Sequence, residues 1–456
     1  MIQKVFKSSR SHVLLMAALL LSGFVLIGCG SGGGGGGSTS SDSYDAPANT
    51  TTATPIISAA TLKSWIDDDY IASGAVAVLD YGSPATEDWI PGAVTVGANE
   101  ARMTRVEGVA WAASLVATGE QMDTLIQRAG IDQNTTIVIT NTGNPYLSAR
   151  LYWTFRYWGF PKSKLKILDG GNAAFDAAYD MSLAESKPAP STYSVSSNAA
   201  LQANLRASIG EVITDVVPDN GVSQLTIDCR GSVGYNGATA TLGYLDNLLG
   251  IAPTDTEPAH RTVMEGHVAG GTYFNPADLY VAGKYKTGAD LLAVELGNGE
   301  TIGEAIAKYD KITLYCTSGY GAARAFAALD ALTNATVQLY DGSMSQWMQY
   351  AAVVTDADTD GYDDNTGAGL PVGSPWSVEE ITDHGVIEGP AYNATDNGLD
   401  VAYVEELRYQ SEEAADFPTP ASVPNQVETA DEEYMSSGGA SVTPIGAFSD
   451  NGGVGC

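Results

Sequence analysis

Short runs of apolar, mostly β-branched residues alternate along residues 55–350 with longer helix-favouring stretches. Runs such as Val76–Leu79, Ile137–Ile139 and Ile312–Leu314 lead into polar or glycine-rich turns. Short, nearly continuous apolar strands that alternate with helices are typical of parallel sheets covered on both faces. The pattern therefore predicts an α/β fold whose functional loops lie at the carboxyl ends of the strands.

The same order of elements occurs twice along the chain. Three residue pairs are separated by 172 to 175 positions: Ile137 and Ile312, Arg150 and Arg324, and Asp169 and Asp341. A nearly constant offset of this size argues for a duplicated domain. We therefore predict two domains, repeat 1 (residues 55–190) and repeat 2 (residues 206–352), each with a parallel sheet flanked by helices.

The N-terminus has the features of an export signal. Three basic residues precede an apolar run from Val13 to Ile27, which is short for a membrane span. The Gly-Cys pair that follows resembles the lipobox of bacterial lipoproteins, which implies that Cys29 becomes the acylated first residue. We expect residues 1–28 to be a signal peptide and residues 29–54 a flexible tether. The protein would then be exported and lipid-anchored to a bacterial membrane, on its periplasmic or outer-membrane face.

The charge and the metal-ligand residues exclude two classes of protein. The chain has 54 acidic and 22 basic residues and a formal net charge of −32. Because phosphate contacts need clustered Lys and Arg, this balance argues against nucleic acid as a partner. The four histidines form no close pair and there is no Cys-x-x-Cys motif. The sequence therefore argues against a zinc site, and no cofactor is expected to be required.

The region after repeat 2, residues 353–456, is an acidic tail. From residue 351 onward the chain contains 21 acidic residues and one basic residue. This composition predicts that much of the tail is extended or disordered. One stretch resembles a calcium loop, because alternating carboxylates can converge on one hard cation; its candidate ligands are Asp356, Asp358, Asp360 and Asp364. The twelfth position of this loop is Gly rather than Glu, so a structural calcium site and a solvated acidic turn stay equally open.

One cysteine lies at the carboxyl end of a predicted strand, where parallel sheets carry their functional residues. Cys316 directly follows the strand that ends at Tyr315 and precedes a helix-favouring run. A helix N-terminus lowers the pKa of a thiol, and a tight loop can direct several N–H groups at an anion. The candidate loop consists of Thr317, Ser318, Gly319, Tyr320, Gly321 and Ala322. A buried structural cysteine is the alternative, but the two glycines and two hydroxyl residues favour a reactive thiol.

The order of the motifs adds a resemblance to a known family. In repeat 2, Asp-Cys-Arg at 228–230 is followed by Gly-His-x-x-Gly at 266–270, then by the Cys316 loop and by Asp-Gly-Ser at 341–343. This order resembles the rhodanese family, and two copies resemble the tandem thiosulfate and mercaptopyruvate sulfurtransferases. The resemblance implies that Cys316 takes a sulfur atom from a donor, becomes a persulfide, and passes that sulfur to a thiol or to cyanide.

The resemblance also implies roles around the cysteine. Arg230 would bind the anionic donor, and Asp228 would support the loop or Arg230. Where the family often has a second basic residue, Gly234 stands here, and Ser318 replaces a Lys found in many thiosulfate enzymes. The expected partners are a small anionic sulfur or selenium donor and a thiol acceptor, with a redox protein as a further candidate. An exported chain could also oxidise Cys229 and Cys456, and a disulfide to the reactive thiol would block the site.

Repeat 1 lacks the same chemistry. Its loop at residues 141–148 contains no cysteine, and its counterpart of the Asp-x-Arg motif is Asp-Tyr-Gly at 80–82. A persulfide cannot form there, so we expect repeat 1 to shape a pocket near the interface between the repeats.

Two functions are carried forward. The first is a lipid-anchored sulfurtransferase that uses a Cys316 persulfide, with thiosulfate or mercaptopyruvate as donor. The alternative is a non-catalytic sulfur- or selenium-binding scaffold lipoprotein of a chalcogen oxyanion reduction system. The missing basic groups favour the scaffold, whereas the intact cysteine loop opposes it.

Overall fold

The computed structural model describes residues 55–82, 88–107, 110–216, 219–235, 241–244, 261–264, 267–268, 270–351 and 425–439. Within these residues the strands are β1 (Ile56–Ile57), β2 (Val76–Tyr81), β3 (Ala93–Val96), β4 (Arg102–Glu107), β5 (Ala110–Val116), β6 (Thr136–Asn141), β7 (Leu165–Leu168), β8 (Gln224–Asp228), β9 (Thr241–Tyr244), β10 (Arg261–Met264), β11 (Thr272–Tyr273), β12 (Tyr280–Val281), β13 (Lys284–Tyr285), β14 (Lys311–Tyr315) and β15 (Val337–Leu339). The helices are α1 (Ala59–Asp67), α2 (Gly119–Arg128), α3 (Pro145–Tyr157), α4 (Gly171–Asp176), α5 (Ile209–Glu211), α6 (Gly231–Tyr235), α7 (Gly288–Leu292), α8 (Ile302–Lys308), α9 (Tyr320–Leu332), α10 (Ser343–Ala351) and α11 (Gln426–Ser436).

The sheet of repeat 1 has five parallel strands in the order β1-β7-β6-β2-β3. Successive side chains of β2 point to opposite faces, as strand geometry requires. Leu79 and Tyr81 join the core that contains α2 and α3, whereas Val76 and Val78 join the core with α1 and α4. Because both faces of the sheet are covered, β2 is almost continuously apolar.

The sheet of repeat 2 has four parallel strands in the order β11-β8-β14-β15. Its inner face belongs to the same hydrophobic cluster as the inner face of the first sheet, and α3 packs against α9 across that cluster. The α9 surface is rich in buried alanines, which lets the two helices approach closely. The predicted α/β fold with parallel sheets flanked by helices is confirmed, while the domain limits at 55–190 and 206–352 stay a prediction.

Each repeat extends an antiparallel hairpin to the other. In repeat 1, β4 pairs with β5, and the backbone N–H of Val116 donates to Oδ2 of Asp341 in repeat 2 at 2.8 Å. In repeat 2, β12 pairs with β13, and the backbone N–H of Tyr285 donates to Oδ1 of Asp169 in repeat 1 at 3.0 Å. The two repeats are therefore joined by reciprocal hydrogen bonds to matching aspartates.

Part of the acidic tail is an ordered helix. In α11 the side chains of Val427, Glu428, Asp431 and Tyr434 are buried, and Asp431 pairs with Arg105. Residues 425–439 are thus an ordered part of the tail, and the expectation that much of the tail is extended or disordered stays a prediction for its other residues. Tail composition alone does not show that arginines far away in the chain offer partners to its carboxylates.

Several predictions fall outside the described residues: the signal peptide, the tether with Cys29, and the aspartates at 356–364. Within the part of the chain that the structure describes, no group of His, Cys, Asp or Glu is arranged to hold a metal ion. None of the helices formed by these described residues is both long and apolar enough to cross a bilayer.

Candidate active site

Cys316 lies at the carboxyl end of β14, in the tight loop that leads into α9. Gly319 precedes α9 with a φ of +81°, in the left-handed region. A Cβ at this position would lie 2.6 Å from the carbonyl oxygen of Asp341 and 2.7 Å from Nη1 of Arg150. Only glycine avoids both the backbone strain and the clash, so this residue fixes the shape of the loop.

The first residues of α10 hold the backbone of the loop. The N–H of Cys316 donates to Oγ of Ser343 at 3.1 Å, and the N–H of Met344 donates to the carbonyl of Cys316 at 3.0 Å. The N–H of Ser345 donates to the carbonyl of Thr317 at 2.9 Å. We call residues 341–345, of which the last three make these bonds, the clamp turn.

The clamp turn contains a strained residue. Ser343 is fully buried and has a φ of +52°, which a residue with a side chain rarely adopts. Its hydroxyl donates to the carbonyl of Tyr340 at 2.8 Å and accepts the N–H of Cys316. Such a conformation persists only where the surrounding contacts enforce it, and it is concentrated at functional sites.

The thiol of Cys316 is free and the residue is 5% exposed. A Cβ at Gly321 would lie 3.4 Å from its sulfur, so the backbone of α9 passes close to the thiol. Of the other predicted loop residues, Thr317 is exposed, Ser318 is half-buried, and Tyr320 and Ala322 are buried. Among the described residues no hydrogen bond reaches the Cys316 sulfur, so a ring of N–H groups around it stays a prediction.

Arg230 stands near the cysteine because their strands are neighbours. Asp228 at the end of β8 is the register partner of Tyr315 on β14, and Arg230 and Cys316 follow these two residues. Nε of Arg230 lies 3.0 Å from both carboxylate oxygens of Asp228, and Nη2 lies 2.5 Å from Oδ2. Burial works against the charged guanidinium, but Asp228 outweighs it and raises the pKa of Arg230, with smaller contributions from Tyr315 and Cys316.

A second thiol lies beside the site. Cys229 is buried, its N–H donates to the carbonyl of Tyr315 at 2.7 Å, and its sulfur lies 3.8 Å from the carbonyl of Ile227. Burial, followed by the neighbouring Cys316 and Asp228, raises the pKa of the Cys229 thiol well above its ordinary value. Cys229 and Cys316 are both free, so no disulfide between them blocks the site in this structure.

Repeat 1 contributes aromatic and cationic groups that the sequence analysis did not identify. The hydroxyl of Tyr81 lies 2.7 Å from that of Tyr320, and the Tyr146 ring meets the Tyr320 ring edge-on at 5.9 Å. The guanidinium of Arg150 lies 5.2 Å from the centre of the Tyr320 ring. The sequence did contain one signal for this contact. Tyr81 directly follows Asp80 in repeat 1, just as Cys229 directly follows Asp228 in repeat 2.

His267 and Val268, which belong to the Gly-His motif, contact residues at the ends of α6 and β14. His267 stacks on Tyr235 with ring centres 3.5 Å apart, and its Nδ1 lies 2.8 Å from the carbonyl of Tyr235. The N–H of the next residue, Val268, donates to the hydroxyl of Tyr315 at 3.0 Å. The motif thus contacts the strand that leads into Cys316.

Comparisons with known proteins agree with this arrangement. The chain is 26% identical over 223 residues to the 3-mercaptopyruvate sulfurtransferase of Escherichia coli strain K12, which covers 49% of this chain and 68% of that protein. The enzyme of Escherichia coli O157:H7 gives the same values. No family model matches the chain.

Three solved structures illustrate the similarity of the chain trace. SseA of Escherichia coli has a TM-score of 0.47 at 20% identity, over 64% of this chain and 98% of that one. Tum1 of Saccharomyces cerevisiae has a TM-score of 0.47 at 15% identity, over 65% and 95%. The 3-mercaptopyruvate sulfurtransferase of Leishmania major has a TM-score of 0.43 at 14% identity, over 65% and 74%.

The sequence similarity to 3-mercaptopyruvate sulfurtransferase supports the class that the motifs implied, a sulfurtransferase of the rhodanese family. This similarity to an enzyme does not favour the non-catalytic scaffold.

Proposed function

We propose that the protein transfers sulfane sulfur from a small anionic donor to a thiol or cyanide through a persulfide on Cys316. The observation that carries this proposal is the position of that cysteine. It follows the strand β14, its backbone is held by the clamp turn, and Arg230 follows the neighbouring strand. The similarity to 3-mercaptopyruvate sulfurtransferase supports the same reaction class.

The reaction has two half-steps, each with balanced bonds. In the first, the Cys316 thiolate attacks the donor sulfur; with mercaptopyruvate the carbon–sulfur bond breaks, and pyruvate leaves after its carbon takes up a proton. In the second, an acceptor thiolate attacks the outer sulfur of the persulfide. The new bond joins that sulfur to the acceptor, and Cys316 leaves as a thiolate.

We further propose mercaptopyruvate rather than thiosulfate as the better donor. Asp228 neutralises most of the charge that Arg230 can offer, and Gly234 and Ser318 stand where basic residues occur in relatives. The absence of basic residues at these two positions favours a monoanionic carboxylate over the dianion thiosulfate.

The test compares two matched cysteine variants. Cys316→Ser should abolish thiocyanate formation from mercaptopyruvate and cyanide, because an alcohol cannot carry sulfane sulfur. Cys229→Ser is the control and should retain transfer, since its hydroxyl can still donate to the Ile227 carbonyl. An intact mass that gains one sulfur atom in the wild type and in Cys229→Ser, but not in Cys316→Ser, completes the test. Transfer by Cys316→Ser would refute the proposal.

We also propose that the protein is exported and lipid-anchored through Cys29. The support is the sequence alone: a basic segment, an apolar run and a glycine before the cysteine. Wild type should partition with membranes and incorporate labelled fatty acid, whereas Cys29→Ser should incorporate none. Equal labelling of both forms would refute the anchor.

A further inference from the structure

The C-terminal helix α11 directs two acidic side chains into the protein. Asp431 accepts from Nη1 and Nη2 of Arg105 at 2.9 Å each, and it also accepts from the hydroxyl of Tyr157 at 2.9 Å. The ion pair with Arg105 is almost fully buried. This bidentate contact attaches α11 to the strand β4 of repeat 1.

Glu428, one helical turn before Asp431, reaches a second buried arginine. Its Oε1 accepts from Nη1 of Arg206 at 2.6 Å. The same guanidinium donates to both carboxylate oxygens of Glu107, at 2.9 and 3.0 Å, and from Nε to Oδ1 of Asp341 at 2.8 Å. Arg206 therefore joins one carboxylate from each of repeat 1, repeat 2 and the tail.

Asp341 is also the first residue of the clamp turn. Its Oδ1 is held by Arg206, and the three residues from Ser343 onward bond the backbone of Cys316 and Thr317. The carbonyl oxygen of Asp341 would lie only 2.6 Å from a Cβ at Gly319. A continuous set of buried contacts thus leads from Glu428 to the loop that carries the reactive thiol.

We propose that Glu428 is a positioning residue for sulfur transfer, acting through Arg206 and Asp341 on the clamp turn. The inference rests on the proposed function, because it assigns the acidic tail a part in presenting Cys316. Without the Glu428 carboxyl group, Arg206 keeps only two of its three anionic partners, and the position of Asp341 is less strongly determined. A small displacement of a nucleophile lowers the rate far more than it lowers substrate affinity.

The environment of Glu428 gives this role a pH dependence. Burial raises the pKa of Glu428 to about 7; Arg206 lowers it, and Glu107 raises it. Its second oxygen, Oε2, is buried without a hydrogen-bond partner in the described part of the chain. The other titratable groups around this position are Asp341, Arg105, Asp431 and Tyr157.

The raised pKa of Glu428 determines how docking of α11 depends on pH. A carboxyl whose pKa is higher in the docked state binds a proton on docking, so docking of α11 is favoured below pH 7. This contribution declines as the pH rises from the ordinary carboxyl value towards about 7. A glutamine at this position mimics the protonated form and removes the dependence.

Three variants in the full chain test the proposal. Glu428→Ala should lower kcat about tenfold with little change in KM, and it should change the rate at which iodoacetamide alkylates Cys316. Glu428→Gln should restore both readouts, because its amide oxygen can still accept from Arg206. Glu432→Ala, an exposed position on the same helix, is the matched control and should behave as wild type.

The alkylation rate separates this proposal from the proposed function, since it needs no sulfur donor. If wild type transfers no sulfur, the proposed function is refuted. The comparison of alkylation rates still tests whether Glu428 positions Cys316. Wild-type kcat and wild-type alkylation in Glu428→Ala would overturn the proposal. If Glu428→Ala does not fold, Glu428→Asp decides: its shorter side chain withdraws the carboxylate from Arg206, and wild-type kcat and wild-type alkylation in this variant would overturn the proposal.

Discussion

Each repeat has a buried aspartate near the carboxyl end of its sheet, Asp80 on β2 beside β6 and Asp228 on β8 beside β14. The hydrogen-bond partners of these two aspartates differ. In repeat 2, Asp228 binds the guanidinium of Arg230. In repeat 1, Asp80 instead accepts from Nδ2 of Asn172 at 2.7 Å and from Oγ1 of Thr142 at 3.3 Å. The same position in the fold therefore carries an ion pair in one repeat and neutral hydrogen bonds in the other.

The residue at the position of Cys316 differs in the same way. Cys316 directly follows β14, whereas its counterpart in repeat 1 is Asn141, the last residue of β6, whose amide donates to Oγ of Ser148 at 2.9 Å. The hairpin contacts to Asp169 and Asp341, in contrast, occur in both repeats. The two repeats thus keep the aspartates that receive the hairpin contacts, whereas the residues at the ends of the corresponding strands differ.

Among the changes that compare the two repeats, the largest effect is expected from the loop glycine. Gly319→Ala should lower transfer by about 100-fold, because its Cβ would clash with Asp341 and Arg150 and misplace Cys316. The matched change in repeat 1, Gly143→Ala, also has a positive φ but meets no atom within 4 Å. It should cost only about 1–2 kcal/mol of stability and leave transfer unchanged. Steady-state kinetics and thermal unfolding of both variants test the contrast, and equal losses of activity would contradict it.

A smaller effect is expected from the two strand aspartates. Asp228→Asn breaks a buried ion pair and should destabilise the protein by about 3 kcal/mol. Asp80→Asn should change stability by less than about 1 kcal/mol, because an amide oxygen can still accept from Asn172.

The pH dependence of the Asp80 variant sharpens this comparison. Burial raises the pKa of Asp80, while its bonds to Asn172 and Thr142 lower it. An acid with a raised pKa disfavours the folded state as the pH rises through its ordinary value. Asp80→Asn should therefore gain stability relative to wild type as the pH rises from acid to neutral, in denaturant titrations at several pH values. A relative loss over that range would contradict the assignment.

The smallest effect is expected from placing a thiol in repeat 1. Asn141→Cys, made in the Cys316→Ser background, should restore no transfer, because no arginine follows Asp80 in the Asp-Tyr-Gly segment. Thiocyanate formation from mercaptopyruvate measures this directly. Recovery of turnover would show that the loop position alone creates the activity and that the neighbouring ion pair is dispensable.

The sequence could predict those features that depend on residues close together in the chain. The parallel strands and the loop after Tyr315 follow from apolar runs that are buried on both faces, a signal contained within a few residues. Docking of α11 could not be predicted, because Arg105 and Arg206 lie more than 200 positions before their partners. The contact between Tyr81 and Tyr320 was missed for the same reason, since it joins residues 239 positions apart.

The hydrophobic cluster that runs without a break through both inner sheet faces has a consequence for folding. Neither half can lose its structure without exposing apolar surface of the other, so repeat 1 is an obligatory part of the cooperative unit that contains Cys316. A destabilising substitution in repeat 1, even one far from Cys316, would then reduce the amount of folded protein as surely as one beside that cysteine.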